Sequence, residues 1–117
     1  MTDSAKHHHV EIKDGNATVA AADVTIAPED GPGPVTAQTS MHAMPGHVPP
    51  GRRASLVDAV MDLPEVRGSE RLEATVPRGD GEFLERLRQR TTGAVIRPAG
   101  STVLLDAVIP PQRLPET

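Results

Sequence analysis

Arg71-Leu72-Glu73-Ala74-Thr75-Val76-Pro77-Arg78-Gly79-Asp80-Gly81-Glu82-Phe83-Leu84-Glu85-Arg86-Leu87 changes its apolar period within one turn. Leu72, Ala74 and Val76 alternate with Arg71, Glu73 and Thr75, the period of a strand with one wet face. Beyond the turn at residues 77–81, Phe83, Leu84, Leu87 and Thr91 return along one side of an amphipathic helix. Asp80 is the expected N-cap, Glu82 and Arg86 the expected pair at four-residue spacing, and Gly93 the left-handed residue closing the helix.

The same alternation of periods extends to either side. Upstream, Val35, Ala37, Thr39, Met41 and Ala43 alternate with polar residues as a half-buried strand. Pro45, Gly46, Pro49 and Pro50 then close it off, and Pro50 suits the first turn of a helix, where its missing N–H has no intrahelical partner. Leu56, Val57, Val60 and Met61 recur at helical steps, so a helix is expected over residues 51–62, stopped by Pro64. Downstream, residues 94–97 and 102–109 read as strands around Pro98-Ala99-Gly100-Ser101, with Val103, Leu105, Ala107 and Ile109 on one face. The order strand, helix, strand, helix, hairpin implies an α+β two-layer sandwich, a mixed sheet with two helices on one face. A right-handed crossover through the Phe83 helix would set the Ala94 strand parallel to the Leu72 strand. The helix-free face would carry Thr36, Gln38, Ser40, His42, Arg71, Glu73 and Thr75.

Residues 1–34 form a polar, Pro- and Gly-bearing segment, expected to be extended or disordered. A short hairpin is read around Asp14-Gly15-Asn16, because Asp-Gly supplies the positive φ of a tight turn. Val24 and Ile26 add an extended stretch before the Pro- and Gly-dense residues 28–34. His7, His8 and His9 are left out of the fold reasoning. Residues 35–109 make the compact domain, and 110–117, with Pro110, Pro111 and Pro115, a disordered tail.

Composition narrows the chemistry. Phe83 is the one large aromatic among 117 residues, and Trp, Tyr and Cys are missing. A small core of Val, Leu, Ile, Ala and Met therefore carries the fold, with a stability of a few kcal/mol. Without cysteine there is no disulfide, thiolate nucleophile or zinc thiolate site, which suits a reducing compartment. No apolar run approaches a membrane span and residues 1–6 lack an apolar signal core, so the expectation is a cytoplasmic protein with no membrane association. The formal charge of −4 is concentrated in the first fifty residues. A polyanion-binding surface is not indicated. Single-strand readers stack bases on aromatic rings, and Phe83 belongs in the core, so nucleic acid is not an expected partner. Arg86, Arg88 and Arg90 already suit the C-terminal end of their helix.

Gly51, Arg52 and Arg53 are the sharpest candidates for a site. Cations at a helix N-terminus oppose the helix dipole. An anion held by the free N–H groups and both guanidiniums would explain them. The ordinary alternative is two solvated arginines balanced by Asp58 or Glu65, and no Gly-rich phosphate loop is present. Met41, His42, Met44 and His47 could interest a soft metal, but strand alternation separates Met41 from His42, and no metal site is expected. Ser40, Ser55, Ser69 and Ser101 offer hydroxyls without a nucleophile elbow, and Asp58, Asp62 and Glu65 suit a charged solvent face. No catalytic residue and no cofactor are assigned. Arg78-Gly79-Asp80 matches a cell-adhesion tripeptide by coincidence of composition.

His47-Val48-Pro49-Pro50-Gly51-Arg52-Arg53, Leu56-Val57-Asp58-Ala59-Val60, Asp62-Leu63-Pro64-Glu65-Val66, Leu72-Glu73-Ala74-Thr75-Val76-Pro77 and Gly100-Ser101-Thr102-Val103-Leu104-Leu105-Asp106-Ala107 resemble small uncharacterised proteins of high-GC actinobacteria, over roughly residues 46–109. The resemblance implies a bacterial cytoplasmic setting and no assigned activity. The excess of Arg over Lys, ten to two, agrees with high-GC coding. The expected function is a non-enzymatic protein acting through a protein partner or as a homodimer, by an interaction face of Gln38, Ser40, His42, Arg71, Glu73 and Thr75. The alternative is an anion- or nucleotide-binding regulatory module built on Arg52 and Arg53.

Overall fold

The computed structural model describes residues 6–26 and 35–110. Its elements are β1 (Lys6–Asp14), β2 (Ala17–Ile26), β3 (Thr36–Ala43), α1 (Arg52–Met61), α2 (Pro64–Arg67), β4 (Arg71–Pro77), α3 (Gly81–Arg90), β5 (Thr92–Ala99) and β6 (Thr102–Val108). The strands form one mixed sheet in the order β1-β2-β3-β4-β6-β5. The three helices make this an α+β fold more dominated by sheet than a two-helix sandwich.

The expected strand–helix–strand–helix–hairpin order is present from β3 onward. Leu56, Val57, Val60 and Met61 of α1 and Phe83 and Leu87 of α3 are buried. They share one core with Ala37 and Met41 of β3, Leu72, Ala74 and Val76 of β4, and Leu105 and Ala107 of β6. Period-two and helical patterning meet there, because each element turns its apolar side to the same layer.

Four features differ from the sequence reading. First, β1 and β2 are full strands of the sheet. β2 pairs antiparallel with β3 from Ala20↔Ala43 to Ile26↔Ala37, and His7, His8 and His9 lie in β1. Small Ala20, Ala21 and Ala22 are buried in β2, so this strand joins the core with little side-chain bulk to announce it. Second, β6 lies between β4 and β5, antiparallel to both. The Ala94 strand thus runs in the same direction as β4 but does not touch it. Third, the chain after Pro64 makes the extra turn α2, with Pro64 at its start and Val66 buried. Fourth, Gly93 has the expected positive φ of 65°. It sits at an irregularity of β5 between Thr92 and Val95 instead of ending α3, which closes at Thr91. The readings of residues 28–34 and 111–117 lie outside the described residues.

Candidate functional site at the fork between β3 and β4

β3 and β4 are the one parallel pair among the described strands. Their ladder runs from Thr36↔Arg71 to Ser40↔Thr75 and ends there. Both strands continue: β3 stays paired with β2 to Ala43, and β4 stays paired with β6 to Pro77. The sheet therefore forks into a wing of β1, β2 and β3 and a wing of β4, β6 and β5. Along residues 41–43 the main-chain groups facing β4 have no ladder partner, an unusual state for a central strand. α1 starts beyond the C-terminal end of β3 and α3 beyond that of β4, so both helix starts stand at the open end of the fork. Carboxyl ends of parallel strands, next to helix N-termini, are where open α/β sheets place ligands.

The start of α1 confirms part of the electrostatic mismatch and corrects the rest. Gly51 has φ 88° and offers no side-chain cap, and no acid stands in the first turn of α1. The compensating charge comes from elsewhere in the chain. Glu82 Oε2, from the first turn of α3, accepts the N–H of Gly51 at 3.1 Å and that of Ala54 at 3.2 Å. Arg52 pairs with Asp14 at the end of β1 at 3.2 Å, and Arg53 with Asp80 at 3.4 Å. A shallow cavity of about 270 Å³ lies against Arg53, Asp80 and Glu82. The expected partners Asp58 and Glu65 are engaged differently. Asp58 accepts from Arg86 Nε at 2.8 Å and Arg86 Nη2 at 2.9 Å, and from Arg90 Nη1 at 2.7 Å. Arg86 beside Asp58 holds its carboxyl below the usual range, against partial burial and helped by Arg90. Glu82 and Arg86 therefore do not form the expected pair, and Asp80 faces Arg53 without capping α3.

The residues assigned to an interaction face do share the helix-free side. Register places Thr25, Gln38, Glu73 and Asp106 in one row and Asp23, Ser40, Thr75 and Leu104 in the next. They line an open depression of about 430 Å³ together with Arg97. Gln38 Nε2 donates to Glu73 at 3.1 Å, and Arg97 pairs with Asp106 at 3.4 Å. His42 is exposed on this side, at the fork, and Arg71 lies at the other end of the ladder. Met41 is buried and His47 is exposed. Among the described residues, no three His, Cys, Asp or Glu side chains group as metal ligands. Ser55 donates to Gly51 O, and buried Ser69 to Glu65 O, so both hydroxyls serve their own helices.

The fold matches solved structures. The GNAT domain of S. lividans PAT superposes with TM-score 0.60 at 14% identity, over 88% of this chain and 61% of that one. The GNAT-like fold is the architecture of this chain. A protein of Sphaerobacter thermophilus DSM 20745 assigned as an acetyltransferase gives TM-score 0.63 at 14% identity, over 92% of this chain and 67% of that one. The GNAT-family acetyltransferase of Streptococcus pneumoniae gives 0.53 at 13% identity, over 80% and 60%. The chain thus spans about three fifths to two thirds of the length of these three structures. No protein-family model and no curated protein matches it.

This likeness overturns the expectation of a non-enzymatic module acting through a partner or a homodimer: the solved chains that share the GNAT-like fold are named for acetyl transfer. No helix among the described residues is long and apolar enough to cross a membrane.

Proposed function

We propose that this chain is an acyl-transfer domain of the acetyltransferase type, which holds an acetyl donor in the fork between β3 and β4. The carrying observation is the parallel ladder that stops at Ser40↔Thr75 while both strands run on. An extended donor with amide and thioester carbonyls would complete the free edge at residues 41–43 as an added strand does. A main-chain N–H there can donate to the acetyl carbonyl and stabilise the oxyanion formed when an acceptor attacks. The new bond forms at the carbonyl carbon, the C–S bond breaks, and the thiol leaves. His42 is the titratable side chain of the stretch 41–43 and is exposed, so it is the candidate to take the acceptor's proton. The likeness to three acetyltransferase folds supports this reading.

The test uses a phosphate-free donor, S-acetylpantetheine. Titration followed by amide resonances should move those of residues 41–43 and 76 saturably, and thiol release in the presence of a mixture of small amines should exceed the blank. His42→Ala should lower that release about 10²-fold and leave the amide shifts in place. A donor that moves no fork amide would end the proposal.

A further inference from the structure

We infer that Glu82 is a built-in anion that fills the N-terminus of α1 and closes it to phosphate-bearing ligands. A phosphate at a helix start needs free N–H groups and uncommitted cations. Most of both are already engaged here. Glu82 Oε2 takes the N–H groups of Gly51 and Ala54 at 3.1 and 3.2 Å, while the N–H of Arg52 donates to Pro49 O at 3.3 Å and that of Ser55 to Gly51 O at 2.9 Å. Arg52 and Arg53 are each paired with a carboxylate, Asp14 and Asp80, although the Nε of each has no hydrogen-bond partner among the described residues. Three carboxylates thus face two guanidiniums and one helix start, so an arriving phosphate meets negative charge.

The closure has a structural logic. α1 lacks a capping side chain and an acid of its own, and its N-cap is a glycine. A carboxylate on a neighbouring helix supplies what a capping Asp or Glu would, and ties the starts of α1 and α3 together at the mouth of the fork. A coenzyme A thioester gains nothing from its phosphates at that helix start while Glu82 holds it. The donor that the fork takes is then one recognised by its acyl and amide portion alone.

The experiment titrates inorganic pyrophosphate into the full chain and follows the amide resonances of Gly51, Arg53 and Ala54. The wild type is expected to show no saturable shift, and Glu82→Gln, which keeps size and one acceptor oxygen, to show one at least tenfold tighter than any wild-type binding. Glu82→Ala serves as a second variant with the same expectation. Acetyl-coenzyme A and S-acetylpantetheine should move the wild-type fork amides with equal affinity, within about threefold, and Glu82→Gln should favour acetyl-coenzyme A. Saturable pyrophosphate binding by the wild type, or a folded Glu82→Gln that gains none, would overturn the inference. Its pyrophosphate arm is independent of acyl transfer: failure of both thioesters sinks the transfer reading alone.

Discussion

At the scale of single residues, charge placement decides what the surface does. His9 stands between two carboxylates: Nδ1 lies 2.8 Å from Asp23 Oδ1, and Nε2 lies 2.9 Å from Glu11 Oε2. The bond to Asp23, then that to Glu11, raises its pKa, and His9 in turn lowers that of Glu11. A raised folded-state pKa stabilises fully below the unfolded value near 6.5, and the gain is lost as pH rises through the folded value. His9→Gln should therefore lower the Tm slightly at pH 5.5 and leave it unchanged at pH 8.5, with salt erasing the difference. Thr39 poses the opposite case. It is 4% exposed, and its Oγ1 has no hydrogen-bond partner among the described residues. Thr39→Val removes an unsatisfied hydroxyl at constant shape, so urea unfolding should show equal or higher stability, by up to about 1 kcal/mol.

At the scale of elements, α1 and α3 are joined on their solvent side by Asp58, Asp62, Arg86 and Arg90. Arg90 reaches both acids, at 2.7 Å and 2.8 Å. Asp58→Asn should cost about 1 kcal/mol near neutral pH and low salt, a value already discounted for exposure. Because the Asp58 carboxyl titrates below its unfolded value, that contribution is present above about pH 4 and lost as pH falls through the folded value. Wild type and variant should thus converge in acid, as urea midpoints at pH 7 and pH 2.5 will show. The elements themselves were largely legible. β3, α1, β4, α3 and the β5–β6 hairpin follow from apolar period, since Leu56, Val60, Phe83 and Leu87 mark helix faces and Leu72, Ala74 and Val76 a strand. The strand order was not, because insertion of β6 between β4 and β5 depends on contacts far apart in the chain. β5 is exposed along nearly its whole length and so carries no burial pattern to place it. At the start of α1, the local dipole mismatch of Gly51, Arg52 and Arg53 is met by carboxylates from distant parts of the chain. Those carboxylates, Asp14, Asp80 and Glu82, lie beyond any local rule, and four-residue spacing assigned Glu82 to Arg86.

For the molecule as a whole, one aromatic ring carries a large share of the packing. Phe83 is the largest fully buried side chain, ahead of Leu56, Leu72, Leu87 and Leu105 in the same core. Phe83→Ala should cost about 3–5 kcal/mol, close to the total stability of a domain this small. Far-ultraviolet circular dichroism at 37 °C should find a substantial unfolded fraction. A wild-type-like melt would show that the core repacks. The forked sheet also has a consequence for how the chain assembles. Three strands on each side can zip with neighbours of their own wing, but the wings are sewn together by a five-rung seam from Thr36↔Arg71 to Ser40↔Thr75. Closing that seam requires α1 and α2 to have spanned the gap first, a long entropic detour compared with a hairpin. The seam is accordingly expected to form late, so that truncating Leu72 hastens unfolding far more than it slows folding.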